Sequence, residues 1–310
     1  MLSVVIPAYN EEPMINKTAD TICRILNQEK IAHELVFVND GSKDQTWTEI
    51  GRAAKEYPSV RGVCLSKNFG KESAIFAGLS ESKGDCVVVM DCDLQHPPEK
   101  IVEMYRKWEE GYEIIEGVKQ SRGKESRLHA LAARCFYHFI SEATDIDMTH
   151  ASDFKLLDRK AVNVLLNIPE KNAFFRALSS WVGFRSTNVA YDVQERDAGE
   201  SKWSTKALIR YAITNITSFT TLPMQIVTFF GIIMLGMGVI LSIQALYQKI
   251  VGAALGGFTT VIILQCFSSS VIMISLGIIG YYIAKIFEEV QGRPRFIISE
   301  REDGNGDGEN

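Results

Sequence analysis

Asp91-Cys92-Asp93 follows directly on the apolar run Val87-Val88-Val89-Met90. A short apolar run of this kind reads as a buried strand. An ionised carboxylate without a partner is expensive to desolvate, so two of them at the mouth of such a strand imply a compensating ligand. A hard divalent cation with a polyphosphate would supply it, since Mg2+ and Mn2+ both favour carboxylate, phosphate and water oxygens. If the strand continues, Asp91 and Asp93 point in opposite directions, and one can hold metal while the other holds a ribose or sugar hydroxyl. A lone Asp-x-Asp is a weak signal. At a strand end, ahead of Leu94-Gln95-His96-Pro97-Pro98-Glu99, it becomes much stronger. His96 beside that turn reads first as a polar cap and second as a metal ligand.

Three further polar clusters follow apolar runs: Tyr9-Asn10-Glu11, Asn39-Asp40-Gly41-Ser42 and Ser66-Lys67-Asn68. The elements before and between them alternate. Strands are expected over Ser3–Ile6, Glu34–Val38, Val60–Leu65, Cys86–Met90 and Ile114–Gly117. Helices are expected over Glu12–Gln28, Asp44–Tyr57, Lys71–Ser82 and Pro98–Glu110. Alternation with apolar strands predicts an α/β fold with a mostly parallel sheet covered on both faces. In such sheets ligands sit beyond the carboxyl ends of the strands, so the four clusters converge on one edge. Asp40 there suits a hydrogen bond to a nucleobase or ribose, although Asp-Gly-Ser equally suits a turn and helix N-cap.

The chain has 310 residues and a net charge of −5, which does not suggest a nucleic-acid partner. Its six cysteines form no Cys-x-x-Cys pair and read as reduced, cytosol-facing thiols. The N-terminus lacks the basic and small-residue features of a signal peptide. Hydrophobic residues concentrate late: Pro223–Ile250 and Phe258–Phe287 each hold about 20 or more residues without a charge, enough to span a bilayer. Two buried helices of a soluble core are the competing reading. Lys202, Lys206 and Arg210 precede the first stretch, and Lys285, Arg293, Arg295 and Arg301 follow the second, an asymmetry that puts both termini in the cytosol. Lys202, Lys206 and Arg210 recur every four residues and would share one helix face on an anionic membrane surface, or simply face solvent. Gly123–Ile140 reads as a basic amphipathic helix, either packed on the domain or placed near lipid heads. Glu300–Asn310 is acidic and Gly-rich and is expected to be disordered. Gly231, Gly236 and Gly238 offer close helix-packing surfaces for a homo-oligomer.

Val5-Ile6-Pro7-Ala8-Tyr9-Asn10-Glu11, Asn39-Asp40-Gly41-Ser42 and Asp91-Cys92-Asp93-Leu94-Gln95 resemble the signature of family 2 glycosyltransferases, which have the GT-A fold. Lys67-Asn68-Phe69-Gly70-Lys71-Glu72, Ser152-Asp153-Phe154-Lys155 and Ala198-Gly199-Glu200-Ser201-Lys202-Trp203 resemble its polyprenyl-phosphate branch, which includes dolichyl-phosphate mannose synthases and bactoprenol glucosyltransferases. The two late spans are similar to the bacterial bactoprenol type. The resemblance implies a GT-A catalytic domain over 1–200, a juxtamembrane amphipathic segment over 201–222, two transmembrane helices over 223–287 and a cytosolic tail over 288–310. It implies donor contacts from Pro7, Ala8, Tyr9, Glu11, Asp40, Lys67, Asp91 and Gln95. Mg2+ or Mn2+ would sit on Asp91 and Asp93, and Asp153 would lie near the reacting centre as a catalytic residue beside them. Arg122, Arg127, Arg196, Ser201 and Lys202 would bind the acceptor or its phosphate. Ser152 stands where relatives often have Gly, so the local turn is expected to differ slightly.

The implied reaction moves a hexose from a nucleotide sugar, UDP-glucose favoured, to a polyprenyl phosphate at the cytosolic face of a bacterial plasma membrane, with inversion. GDP-mannose and UDP-N-acetylhexosamine are alternative donors. A phosphate monoester has a second pKa of about 6 and is largely dianionic at pH 7, so Asp153 is expected to orient substrate more than to remove a proton. A processive polysaccharide synthase would need a Gln-x-x-Arg-Trp motif, and Arg176 and Trp181 are too far apart to form one. A non-catalytic membrane scaffold would have little use for the intact acidic pair and Lys202.

Overall fold

The computed structural model describes residues 1–119, 152–170, 175–192, 222–251 and 257–304. The basic helix expected over 123–140, the Lys202–Lys206–Arg210 face, and Arg122, Arg127, Arg196, Ser201 and Lys202 lie outside the described residues. The chain divides into two compact units, one of Met1–Ser204 with Pro294–Asn310 and one of Thr205–Arg293.

The first unit is built on one eight-stranded sheet in the order β7-β5-β6-β4-β1-β2-β3-β8. Its strands are β1 (Leu2–Ala8), β2 (His33–Asn39), β3 (Val60–Leu65), β4 (Cys86–Val89), β5 (Ile114–Lys119), β6 (Lys155–Asp158), β7 (Ser186–Tyr191) and β8 (Ile298–Asp303). Parallel pairing joins β1 to β2 and β4, β2 to β3, and β5 to β7; β6 and β8 run against their neighbours. Helices α1 (Ile15–Gln28), α2 (Thr46–Glu56), α3 (Lys71–Glu81) and α4 (Glu99–Glu109) alternate with the first strands, and α5 (Arg159–Asn167) and α6 (Phe175–Trp181) follow β6. Central strands covered on both faces must be apolar throughout, and β4 is wholly buried. α1 buries Ile15, Ala19, Ile22 and Leu26, the i, i+4, i+7 spacing of one helical face. Gly78 lets α3 lie against β1, because a Cβ there would stand 2.2 Å from a Val5 methyl. Cys23, Cys64, Cys86 and Cys92 are free and buried.

The second unit contains α7 (Leu222–Ile250) and α8 (Phe258–Val290). Stretches within them, Val227–Gln248 and Phe267–Val290, are long and apolar enough to cross a membrane, and neither is buried in the protein. A soluble core helix would be buried; here Leu235 is 70 % exposed.

The tail corrects one expectation. Residues 298–303 are not disordered: they form β8, paired antiparallel with β3 from Leu65↔Ile298 to Arg61↔Asp303. Three of the charges that make this segment look solvated, Glu300, Arg301 and Asp303, have partners on the folded unit. Arg61 Nε donates to Asp303 at 2.6 Å, Trp47 Nε1 to Glu300 at 3.0 Å, and Arg301 reaches Glu81 at 2.9 and 3.0 Å. Composition alone registers the acidity and misses its partners, which lie more than 200 residues away in sequence.

Deleting residues 294–310 should leave β3 as an unpaired edge. Amide hydrogen exchange should then accelerate on β3 while β1 stays protected. Unchanged protection of β3 would contradict the docking of β8.

Candidate active site

Register places the chemistry. Ala8 pairs with Asn39, Asn39 with Cys64, and Val5 with Val89, so β1, β2, β3 and β4 all release their following loops at one edge. β6 runs the other way and begins there, with Lys155 opposite Val89. The residues before β6 therefore meet the residues after β4, and Asp153 comes to lie beside Asp91 although 62 positions separate them (153 − 91).

The loops are cross-braced. Asn10, at φ 54°, receives its turn from the second loop: its N–H donates to Ser42 Oγ at 3.0 Å and its Oδ1 accepts from Lys43 N at 2.9 Å. Glu11 N donates to Thr46 Oγ1 at 3.0 Å. Asp40, only 3 % exposed, accepts from the Phe69 and Gly70 amides at 2.7 and 2.9 Å, tying the second loop to the third. Burial pushes the Asp40 carboxyl up, and those two amides pull it back. Gly41 permits the approach: it has φ 62°, and a Cβ there would stand 2.4 Å from the Lys67 carbonyl carbon. Pro7 and Ala8 end β1, Tyr9 is exposed beyond them, and Lys67 extends over the Phe69 ring at 5.0 Å.

At the centre, Lys71 Nζ stands 2.6 Å from Asp91 Oδ1 and 2.8 Å from Asp153 Oδ2. Arg176 closes on the other side, donating to Asp153 from Nε at 2.5 Å and from a terminal nitrogen at 2.7 Å. Burial would raise both carboxyls. The Lys71 ammonium outweighs it at Asp91, and Lys71 with Arg176 holds Asp153 far below the usual carboxylate range. Burial would likewise lower Lys71, and the two carboxylates hold it above its ordinary value. A carboxylate gripped by two cations on both oxygens is a weak base. Ser152 Oγ accepts from Phe154 N at 3.2 Å, a local turn that helps set the direction of Asp153.

The turn after Asp91 is shaped by His96. Its Nδ1 accepts from the Asp91 amide at 3.4 Å, and its ring stacks on Phe154 at 4.8 Å and meets Tyr191 edge-on at 5.6 Å. Burial pushes the His96 imidazole down, in keeping with a neutral ring that caps a loop. Asp93 Oδ1 accepts from Gln95 N at 3.1 Å. Among the described residues no three His, Cys, Asp or Glu side chains gather closely enough to cage an ion. Two carboxylates at an open edge still fit Mg2+ or Mn2+, because such ions commonly take one or two protein carboxylates and complete their shell with substrate phosphates and water.

The model of glycosyl transferase family 2 matches residues 3–166, more than half of the chain. The chain belongs to glycosyltransferase family 2. A bactoprenol glucosyl transferase of Shigella phage SfII is 33 % identical over 306 residues, covering 98 % of this chain and 99 % of that protein. An uncharacterised glycosyltransferase of Bacillus subtilis is 39 % identical over 298 residues, covering 96 % and 92 %. Glucosyl-3-phosphoglycerate synthase from Mycobacterium tuberculosis, solved with Mn2+, UDP and glucosyl-3-phosphoglycerate, shares the fold. Its TM-score is 0.50 at 22 % identity, over 70 % of this chain and 79 % of that one.

In this family 2 glycosyltransferase the edge brings together Asp91, Asp93, Gln95 and Asp153, with the loops carrying Tyr9, Glu11, Asp40 and Lys67 around them. Sequence reasoning assigned no role to Lys71, Glu72 or Arg176. Lys71 sits in a recognised motif, first in its helix after the positive-φ Gly70, which was the available signal. Arg176 lies in no motif and becomes visible only when α6 packs beside β6.

Glu72 accepts from Phe175 N at 2.8 Å, which joins α3 to the start of α6. Its carboxyl is pushed up to about 7, first by burial and then by the charge of Asp153, against an ordinary value of 4.5. Folding therefore takes up a proton between those values, and the Glu72 contribution to stability declines as pH rises through that window. Glu72→Gln removes the effect. The unfolding free energy of the variant minus that of the wild type should grow from about pH 4.5 to 7 and then level off; a pH-independent difference would contradict the shift.

Proposed function

We propose that this chain is an inverting, metal-dependent hexosyltransferase that moves a hexose from a nucleotide sugar to a polyprenyl phosphate at the cytosolic face of the membrane. The observation that carries it is the conjunction, in one chain, of the acidic strand edge with two unburied apolar helices, matched over nearly the full length by a bactoprenol glucosyl transferase. UDP-glucose is the favoured donor on that likeness.

Pro7, Ala8, Tyr9, Glu11, Asp40 and Lys67 line the nucleotide side, and Gln95 meets the sugar. Asp91 and Asp93 hold Mg2+ or Mn2+, which when bound neutralises the diphosphate leaving group. Lys71 and Arg176 orient Asp153, and Asp153 orients the sugar. This division suits the acceptor, because a lipid phosphate is already an anion near neutral pH and needs positioning and charge stabilisation more than a strong base. Arg122, Arg127, Arg196, Ser201 and Lys202 are proposed for the lipid phosphate. A cytosolic catalytic domain over 1–200, a juxtamembrane segment over 201–222, a hairpin over 223–287 and a cytosolic tail over 288–310 complete the reading. The pairing of β8 with β3 supports a hairpin whose two ends share a compartment. Gly231, Gly236 and Gly238 on α7 are proposed as close helix-packing surfaces for a homo-oligomer, Gly231 and Gly238 on one side of the helix and Gly236 on another.

The test is transfer of label from a panel of nucleotide sugars to undecaprenyl phosphate by the full chain in lipid. UDP-glucose should yield a single-sugar lipid, with GDP-mannose or UDP-N-acetylhexosamine yielding it if the donor assignment is wrong. Asp93→Asn should lower turnover at least about 100-fold with an unchanged melting temperature. Normal turnover in that variant would overturn the metal assignment.

A further inference from the structure

Lys155 is fully buried, and nothing in the proposed reaction uses it. Its Nζ lies 2.5 Å from Glu116 Oε1, 2.8 Å from Ser179 Oγ, 3.1 Å from Ser180 Oγ and 3.2 Å from the Arg176 carbonyl oxygen. Glu116 stands directly opposite Lys155 in the β5–β6 ladder, so the charge pair crosses two strands. The other three partners all belong to α6. The hydroxyls of Ser179 and Ser180 also donate to the Arg176 carbonyl, each at 3.2 Å, and Ser180 reaches Glu116 at 3.0 Å.

We propose that Lys155 is a positioning residue that fixes the backbone of Arg176 and thereby aims its guanidinium at Asp153. The inference rests on Asp153 lying at the reacting centre. The seven-residue α6 is too short to hold itself by helix cooperativity alone. Its first turn is instead gripped at both ends of one residue. The Arg176 carbonyl is held by Lys155, and the Arg176 side chain is held by Asp153, two positions earlier in the same segment. Lys155 opens β6 and Asp153 lies in the bend just before it, so one short stretch carries both anchors. Fold stability does not by itself account for such a pair, because buried ion pairs replaced by apolar groups of similar volume are often neutral or stabilising. Keeping Arg176 in one geometry does account for it, since a misplacement of about 1 Å can lower turnover about 100-fold.

The test uses the full chain in lipid with Lys155→Met and Glu116→Gln combined, so that no uncompensated charge is left buried. The double variant should melt within a few degrees of wild type. It should lose about 100-fold in kcat with donor KM within about twofold, and its α6 amides should exchange faster. In an Arg176→Met background the same pair of substitutions should produce little further loss in kcat, because the effect passes through Arg176. An equal loss in both backgrounds, or wild-type kcat with α6 protection unchanged, would overturn the proposal. A wild-type chain that transfers no sugar from any donor would sink the proposed function instead, and α6 exchange would then decide the Lys155 assignment alone.

Discussion

Charge compensation at one sheet edge governs this molecule. Asp91 and Asp153 are brought together by the opposed directions of β4 and β6, and two carboxylates so close would repel in a partly dry site. Lys71 bridges them at 2.6 and 2.8 Å, and Arg176 takes the remaining face of Asp153. The edge thus has protein cations of its own, and a nucleotide diphosphate with its metal would enter a site already balanced. Lys71 then has a second task available, because any ion that claims Asp91 must share or displace its ammonium.

The rest of the first unit holds that arrangement still. α3 carries Lys71 and Glu72 from its first turn and is seated on β1 through Gly78. Glu72 reaches the start of α6 and Lys155 grips its first turn, so Arg176 is approached from two directions. Asp40 and Asn10 brace the loops after β1, β2 and β3 by consuming backbone donors. His96 shapes the turn between Asp91 and the rest of the acidic motif by stacking on Phe154, the residue that follows Asp153. Loop order and carboxylate placement are one construction.

Much of this was legible in the amino-acid order. Strong apolar runs marked β1 to β5 within a few residues, Val60–Leu65 with its ends as expected, and the alternation predicted a mostly parallel sheet. The two long uncharged stretches became α7 and α8. β6, β7 and β8 were not foreseen. β6 is four residues long and its pairing with β4 is non-local, while β8 is polar and gains its place only through partners on β3, Trp47 and Glu81. The acidic motif could be found because its chemistry is compressed into three positions. The cations that balance it could not, because Lys71 and Arg176 are far from it in sequence and only the fold makes them neighbours.

Donor binding under metal control is the most direct test of the account. Calorimetric titration of UDP-glucose into the lipid-embedded chain should show binding with Mn2+ present that weakens at least about tenfold, or about 1.4 kcal/mol, when a chelator is added. The same loss should appear in Asp91→Asn with Mn2+ present. Equal affinity with and without chelator, in a wild-type chain that still transfers sugar, would contradict the claim that the Asp91–Asp93 edge holds the donor through a divalent cation.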